Sequence, residues 1–570
     1  VFDYPMVGDD LAVDGTLPVK VEGIGLVIGL NGTGSNPPPN DFRTAMLEEM
    51  KRMEIYKPNE LLASKDTALV LLRAYVPAGI RKGEFIDVEV WVPPGDTTTS
   101  LKGGRLLEAG LTETLVGGER NVLKGKELIK VSGPVVVSTN QSNPNDKAAL
   151  LKGKVLGQGR CLVERNFRFV LPENERNALR MKNVAFQINE RFFEKEEGIE
   201  TGLAKARDDK LLNLKLSSRY RHDIYRYLLV VRKIPMRSGA EFRETLLKDL
   251  KEELMKPANT MEAALRLESL GPEAIPFLAE GLSSDYEVVR FASAQALAYL
   301  GNGRGASELG RLAEVSTDYR AYALTALVAL DGPAARLELS RLFQAESAEA
   351  RYGAFRALWA LDSKDALVQG EPMASQFYLH SVESKAAPMV HVSRNFRPEI
   401  VLFNQRQQLL TPFSLRAGDF ILINSSGDGD KVHLACFRPG IAKNGPLRTE
   451  STVLLADVIR EAAKLGATYG DIVDMLEQAS TQGNLMGRLE VNALPKPLSL
   501  ETLQQIAAND SSVRPPAVNA APGLFNVIDA EKAVVPVAAS GSMADNDESE
   551  KDEVAEKKEK KGFFSRILGN

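Results

Sequence analysis

A chain of 570 residues exceeds the roughly 100 to 200 residues usual for one domain, so several folding units are expected, each able to bury its own core. With 44% hydrophobic and 26% charged residues the composition is that of a globular protein, and a net charge of −5 is too small at this length to point to nucleic acid. No run approaches the roughly 18 consecutive apolar residues that span a bilayer, so no transmembrane helix is expected.

Val1 to Asp10 read as folded-domain sequence and lack the positive flank and apolar stretch of a secretory signal. Two readings follow: a cytoplasmic protein, or one whose leader is absent from this chain. From Val21 to about Pro235 short β-rich runs alternate with Gly, Pro and Asn clusters, as in Leu69–Leu72 and Ile86–Val92. The second run alternates, with Ile86, Val88, Val90 and Val92 on one face, as in a half-buried strand. Arg43–Met53 and Glu173–Phe192 have helical patterns, so this part is a mixed α/β or α+β domain.

The glycines of Gly23–Ser35 invite a phosphate-loop reading, but Gly23, Gly25 and Gly29 are spaced G-x-G-x-x-x-G and no lysine follows Gly34. Pro37-Pro38-Pro39 also stands where a phosphate-binding helix would begin. Gly25, Gly29, Gly32 and Gly34 are therefore expected to serve a tight turn with close strand packing, and Gly103-Gly104 a second turn.

Near Lys256-Pro257 the texture changes to an Ala- and Leu-rich helical pattern that persists to about Leu367. Arg290–Gly301, Arg320–Asp331 and Arg351–Asp362 align with Arg, Ala-Leu and a final Leu in register. Ala296, Leu297 and Leu300 match Ala326, Leu327 and Leu330, then Ala357, Leu358 and Leu361, a repeated apolar stripe on one helix face. Ala306–Val315 and Ala334–Phe343 supply a second helix between copies, and a degenerate unit starts at Met261. The pattern resembles the shorter kind of HEAT-like repeat. Strand texture returns with Glu399–Leu402 and Phe420–Asn424, followed by a helical pair from Val453 to Ala479, so the helical module reads as an insertion.

Beyond Pro495 the chain turns Ala-, Pro- and Asn-rich, and the mixed-charge run Asp545–Lys561 is expected to be disordered. Phe563-Phe564 behind Lys560 and Lys561 ends either a solvated tail or a docking or membrane-touching peptide. The four divisions expected are residues 1–256, 257–368, 388–494 and 495–570.

Chemistry is sparse. His222, His380, His391 and His433 are scattered, although His391 and His433 could meet in the fold, and no spacing spells a metal site. No G-x-S-x-G motif or redox pair is present, so no catalytic, cofactor or metal residues are assigned. Cys161 and Cys436, the only cysteines, are either two buried thiols or one long-range disulfide.

Gly25-Leu26-Val27-Ile28-Gly29-Leu30-Asn31-Gly32-Thr33-Gly34 resembles the G-L-V-x-G-L-x-G-T-G of flagellar basal-body P-ring proteins. Val76-Pro77 through Gly83, Ile86-Asp87-Val88 and Ser100–Leu107 follow in the family's order, and Val184–Phe192 and Val453–Val491 resemble its later elements. The resemblance covers about Val21 to Pro235 and, more weakly, Pro388 to Val491. It implies an α+β, strand-rich P-ring-like core, interrupted here by an all-α HEAT-like solenoid and followed by a disordered tail. It also implies a non-enzymatic periplasmic subunit of a homo-oligomeric ring around the flagellar rod, without cofactor. The partners implied are rod and outer-membrane ring proteins and peptidoglycan. The repeat module and tail depart from the family pattern, and the module would suit a further protein partner. The alternative is a non-flagellar envelope scaffold that uses the same fold.

Overall fold

The computed structural model describes residues 4–496 apart from Asp10, 117–121, 138–145, Glu197, Ser238, Ser375, 426–430 and 439–445, together with Pro522–Phe525. These residues mix helix and strand and fall into two compact units: residues 17–164, and residues 4–16 with 165–525. None of the described helices is long and apolar enough to cross a membrane.

In residues 17–164, antiparallel strands Phe85–Trp91, Thr67–Val76, Val19–Ile28, Arg105–Val116, Val122–Pro134 and Lys152–Cys161 pair in that order. The last pairs back onto the first, from Phe85 opposite Arg160 to Trp91 opposite Lys152, and closes a barrel-like sheet. The expected alternation is the cause: Val88 and Val90 are buried in the interior with Val21, Val27, Val70, Leu72, Leu106 and Ile129. Outside the sheet, Leu26 and Leu69 pack on Met46 and Met50 of the helix Asp41–Arg52 and on Leu62 of Pro58–Leu62. Asn40 caps the first helix by accepting from Arg43 N at 2.9 Å.

The second unit opens with a four-stranded antiparallel sheet, ordered Ala12–Asp14, Phe167–Val170, Leu211–Leu214, Ala204–Ala206. The helix Ala178–Arg191 is tied to it by Asn189, whose amide bonds the carbonyl and N–H of Ala204 at 2.9 and 2.8 Å. A short stretch from Ser217 leads into the helix Ile224–Arg232.

Four helix pairs follow. The inner helices Thr260–Leu270, Glu287–Tyr299, Thr317–Leu330 and Ala348–Leu361 lie side by side and are buried along most of their length. Each is preceded by a more exposed outer partner: Ala240–Leu254, Ile275–Gly281, Ala306–Val315 and Pro333–Arg341. The helices thus begin at Ala240, ahead of the textural change at Lys256-Pro257. The first outer helix is built from Glu, Lys and Leu, with only Leu246, Leu247, Leu250 and Leu254 buried, so its composition differs from that of the Ala-rich helices after it.

The aligned arginines have a shared task. Arg290 donates to the carbonyls of Ser284 and Asp285, Arg320 to those of Ala313 and Glu314, and Arg351 to that of Glu346, each at or just past the end of the preceding helix. Arg290 also pairs with Glu308 at 2.8 Å and Arg320 with Glu349 at 3.0 Å, linking each pair of helices to the next.

After the helices comes a mixed sheet ordered Glu371–Met373, Phe377–Val382, Glu399–Phe403, Met389–Val392, Arg488–Val491. A four-stranded antiparallel sheet, Phe413–Ala417 to Leu447–Thr452, and the helices Leu455–Lys464 and Tyr469–Thr481 complete the unit. Thr468 and Asp471 form a capping box on the last helix.

The run Asp545–Lys561 and the Phe563-Phe564 patch lie outside the described residues. Within residues 495–570, Leu524 and Phe525 are packed, 3% and 4% exposed. The Leu-Phe pair is presented by a turn after Pro522-Gly523.

Candidate functional site

The glycine-rich turn is held by a dense set of bonds within residues 17–164. Leu30 N donates to Asp66 O at 3.0 Å, Gly32 N to Asp66 Oδ1 at 2.9 Å, Gly34 N to Lys65 O at 2.8 Å and Ser35 N to Thr67 O at 3.0 Å. Thr33 ties the turn to the second glycine loop: its Oγ1 donates to Ser100 O at 2.8 Å, and its carbonyl accepts from Thr99 N at 2.8 Å. Ser35 Oγ donates to Asp96 Oδ1 at 2.5 Å, and that oxygen also accepts from Thr98 N at 2.8 Å.

The glycines act in different ways. Gly29, Gly32 and Gly103 have φ of +80°, +91° and +75° with open space around them, so backbone conformation selects glycine there. Gly34 and Gly104 are selected by close approach: a Cβ at Gly34 would lie 2.1 Å from Thr67 O, and one at Gly104 2.4 Å from Val27 Cγ1. Gly25 is not in the turn. It lies within the strand Val19–Ile28 facing the interior, where a Cβ would meet Leu106 Cδ1 at 2.7 Å, which corrects the grouping of all four with the turn.

In the second unit the sequence reading missed a buried polar strap. Residues 217–226 run across the inner helices, and each of the first three receives a polar contact from them. Arg226 Nη2 pairs with Glu268 of the first at 2.5 Å, both side chains being essentially inaccessible, and Tyr220 OH donates to Glu268 Oε1 at 2.7 Å. On the second inner helix, Gln295 Oε1 accepts from Arg226 Nη1 at 2.6 Å, and Tyr299 OH donates to Asp223 Oδ2 at 3.1 Å. Arg219 Nη1 donates to Ala329 O of the third at 2.9 Å. The rings of Tyr220 and Tyr299 stack with centroids 4.7 Å apart, and the Arg226 guanidinium lies over Tyr299.

A second cluster joins the fourth inner helix to the mixed sheet. Tyr352 OH donates to Glu399 Oε1 at 2.7 Å, Arg397 pairs with the same carboxylate, and His380 Nε2 stands 3.6 Å from Glu399 Oε2. The His391 ring stacks on Tyr352 at 3.4 Å, and its Nε2 accepts from Ala493 N at 3.0 Å. His391 thus faces Tyr352, whereas His433 is exposed on the antiparallel sheet, 3.6 Å from Glu450 Oε1. Cys161 and Cys436 are both buried, each within its own unit. Among the described residues, no cluster of His, Cys, Asp and Glu has the arrangement of a metal site.

These burials predict acid sensitivity. Burial lowers His391 to about 3; burial, then repulsion from Arg221 and Arg356, lowers His222 to about 4. Burial lowers His380 as well, against the pull of Glu399. Groups depressed in this way contribute stability that is full above the ordinary histidine value of 6.5 and is lost as pH falls toward their folded values. Burial raises Asp223 to about 6, which acts oppositely: its contribution is full below 3.8 and lost as pH rises through 6. Three histidines outweigh one carboxylate. The urea midpoint of the second unit should therefore drop between pH 6.5 and 4.5, at about 1.4 kcal/mol per pH unit for each net proton. His391→Gln should shrink that dependence; an unchanged slope would remove His391 from the account.

Residues 7–245 match the family described as "Flagellar P-ring protein". A flagellar P-ring protein of Thermotoga maritima is 30% identical over 233 residues, covering 39% of this chain and 63% of the relative. The Pseudothermotoga lettingae protein of that name is 28% identical over 217 residues, covering 37% and 61%. That of Helicobacter pylori strain 26695 is 24% identical over 243 residues, covering 41% and 63%. The chain therefore spans somewhat under two thirds of the length of the relatives it matches.

Proposed function

We propose, from the match of residues 7–245 to the flagellar P-ring family, that this chain is a structural subunit of a basal-body P ring, a passive bushing around the rod that serves motility. The match over residues 7–245 carries the reading. In it, the subunit is not an enzyme and needs no cofactor; it resides in the periplasm, pairs with copies of itself, and meets rod and outer-membrane ring proteins and peptidoglycan. A bushing requires stiffness, and a closed sheet with its turns pinned to neighbouring loops supplies it. Heterologous contacts between copies would close the ring.

In this reading the helical module is a HEAT-like insertion between two P-ring-like parts, with divisions at 1–256, 257–368 and 388–494 and 495–570 as a tail. The segment 217–226 already covers part of the inner helices. A protein partner of the module would therefore engage its outer helices, where Val315 and Leu337 are exposed. A second reading, a non-flagellar envelope scaffold, draws on the extent of chain outside the matched region: most of the helical module and both later sheets follow residue 245.

Mass spectrometry of purified basal bodies separates the two. The ring reading expects this chain at an abundance comparable to rod and hook proteins. Its absence from intact basal bodies, with the protein abundant elsewhere in the cell, would leave the scaffold.

A further inference from the structure

The packed turn Pro522–Phe525 rests on the fourth inner helix. Gly523 N donates to His222 O at 2.8 Å, and Arg356 Nε donates to Leu524 O at 2.7 Å. Phe525 N closes the turn on Pro522 O at 3.1 Å, and the guanidinium of Arg356 is braced over the Phe396 ring at 3.5 Å. Polar recognition is thus of main chain alone, one N–H and one carbonyl, while Leu524 and Phe525 provide the buried apolar area.

The point of departure matters too. Before residues 497–521 the chain packs Pro495 so closely on Gly353 that a Cβ there would lie 2.9 Å from Pro495 Cγ. Gly353 and Arg356 are one turn apart on the helix Ala348–Leu361, so the chain leaves and returns at neighbouring positions. A connection of that length joining adjacent points keeps its end at an effective concentration on the order of millimolar.

We propose that the face of Ala348–Leu361 beside His222 is a peptide-binding site for an apolar Pro-Gly-Leu-Phe turn, occupied in cis by the chain's own Pro522–Phe525. The docked turn also completes the strap: residues 217–226 reach the first three inner helices directly and the fourth through this peptide. Occupancy in cis keeps the site closed to other peptides of the same kind.

The test uses the full-length chain and a fluorescent peptide of residues 519–527, read by anisotropy. The L524D/F525D variant, with its own turn released, should bind the peptide at least tenfold more tightly than the wild-type chain. Adding Arg356→Ala to that variant should weaken binding again, as should Leu524→Asp within the peptide. A released variant that keeps the wild-type circular dichroism spectrum but binds no peptide would overturn the proposal. If the released variant does not fold, hydrogen exchange on the wild-type chain decides. Slowing of the Gly523 and Phe525 amides by at least tenfold relative to unstructured peptide supports the docked turn, and exchange at the unstructured rate refutes it.

Discussion

Replacing Glu268 by alanine should destabilise the second unit by about 3–5 kcal/mol, because it leaves the Arg226 guanidinium buried without its counter-charge. The loss would spread beyond one pair. Glu268 also accepts from Tyr220 OH at 2.7 Å, a bond that alanine cannot replace. The double substitution Arg226→Met with Glu268→Leu should recover much of the stability, since apolar residues of similar volume can replace a buried ion pair at little cost. Urea unfolding followed by the helical signal measures both. If Glu268→Ala costs less than about 1 kcal/mol, the pair is not the junction described.

The second large effect concerns the glycine-rich turn. Gly34→Ala would push a Cβ into Thr67 O, break the contacts of Gly34 N and Ser35 N, and cost about 1–3 kcal/mol or more in the barrel-like unit. Gly32→Ala meets no neighbour and carries only the left-handed backbone cost of about 1–2 kcal/mol. A β-branched residue is worse at φ +91°, so Gly32→Val is expected to block assembly through the loop's conformation and not through crowding. Thermal unfolding of the three variants gives the stability order, and recovery in basal bodies reads assembly. Full assembly of Gly32→Val would remove this loop from any role in ring formation.

Much of this arrangement could be read from local pattern. The alternation around Val88 and Val90 marks a strand facing the barrel interior, and the spacing of Arg290, Arg320 and Arg351 marks the repeated inner helices. Local pattern was silent where a residue's partner is distant in sequence. Asp223 and Tyr299 are 76 residues apart, and Arg219 and Ala329 are 110. A signal existed nonetheless: Arg226 interrupts the apolar run of Ile224–Arg232, and Glu268 that of Thr260–Leu270. A charge on a buried helix face demands a counter-charge, so opposite charges in two neighbouring apolar helices form a candidate pair. Gly25 was misplaced for a different reason. Composition cannot separate a glycine required by φ from one required by a neighbour's side chain.

The strap also bears on the order in which the molecule can acquire its structure. Residues 217–226 leave the ribosome before any helix they cross, and the turn near residue 524 that contacts the fourth helix emerges after all four. Arrays of repeats ordinarily fold from any point and fray from their ends, since each unit touches only its neighbours. Here one segment contacts successive units, so loss of any helix also exposes the polar groups that served the others. The helical region should therefore melt in a single cooperative step, and its slow stage should be the closing of long loops.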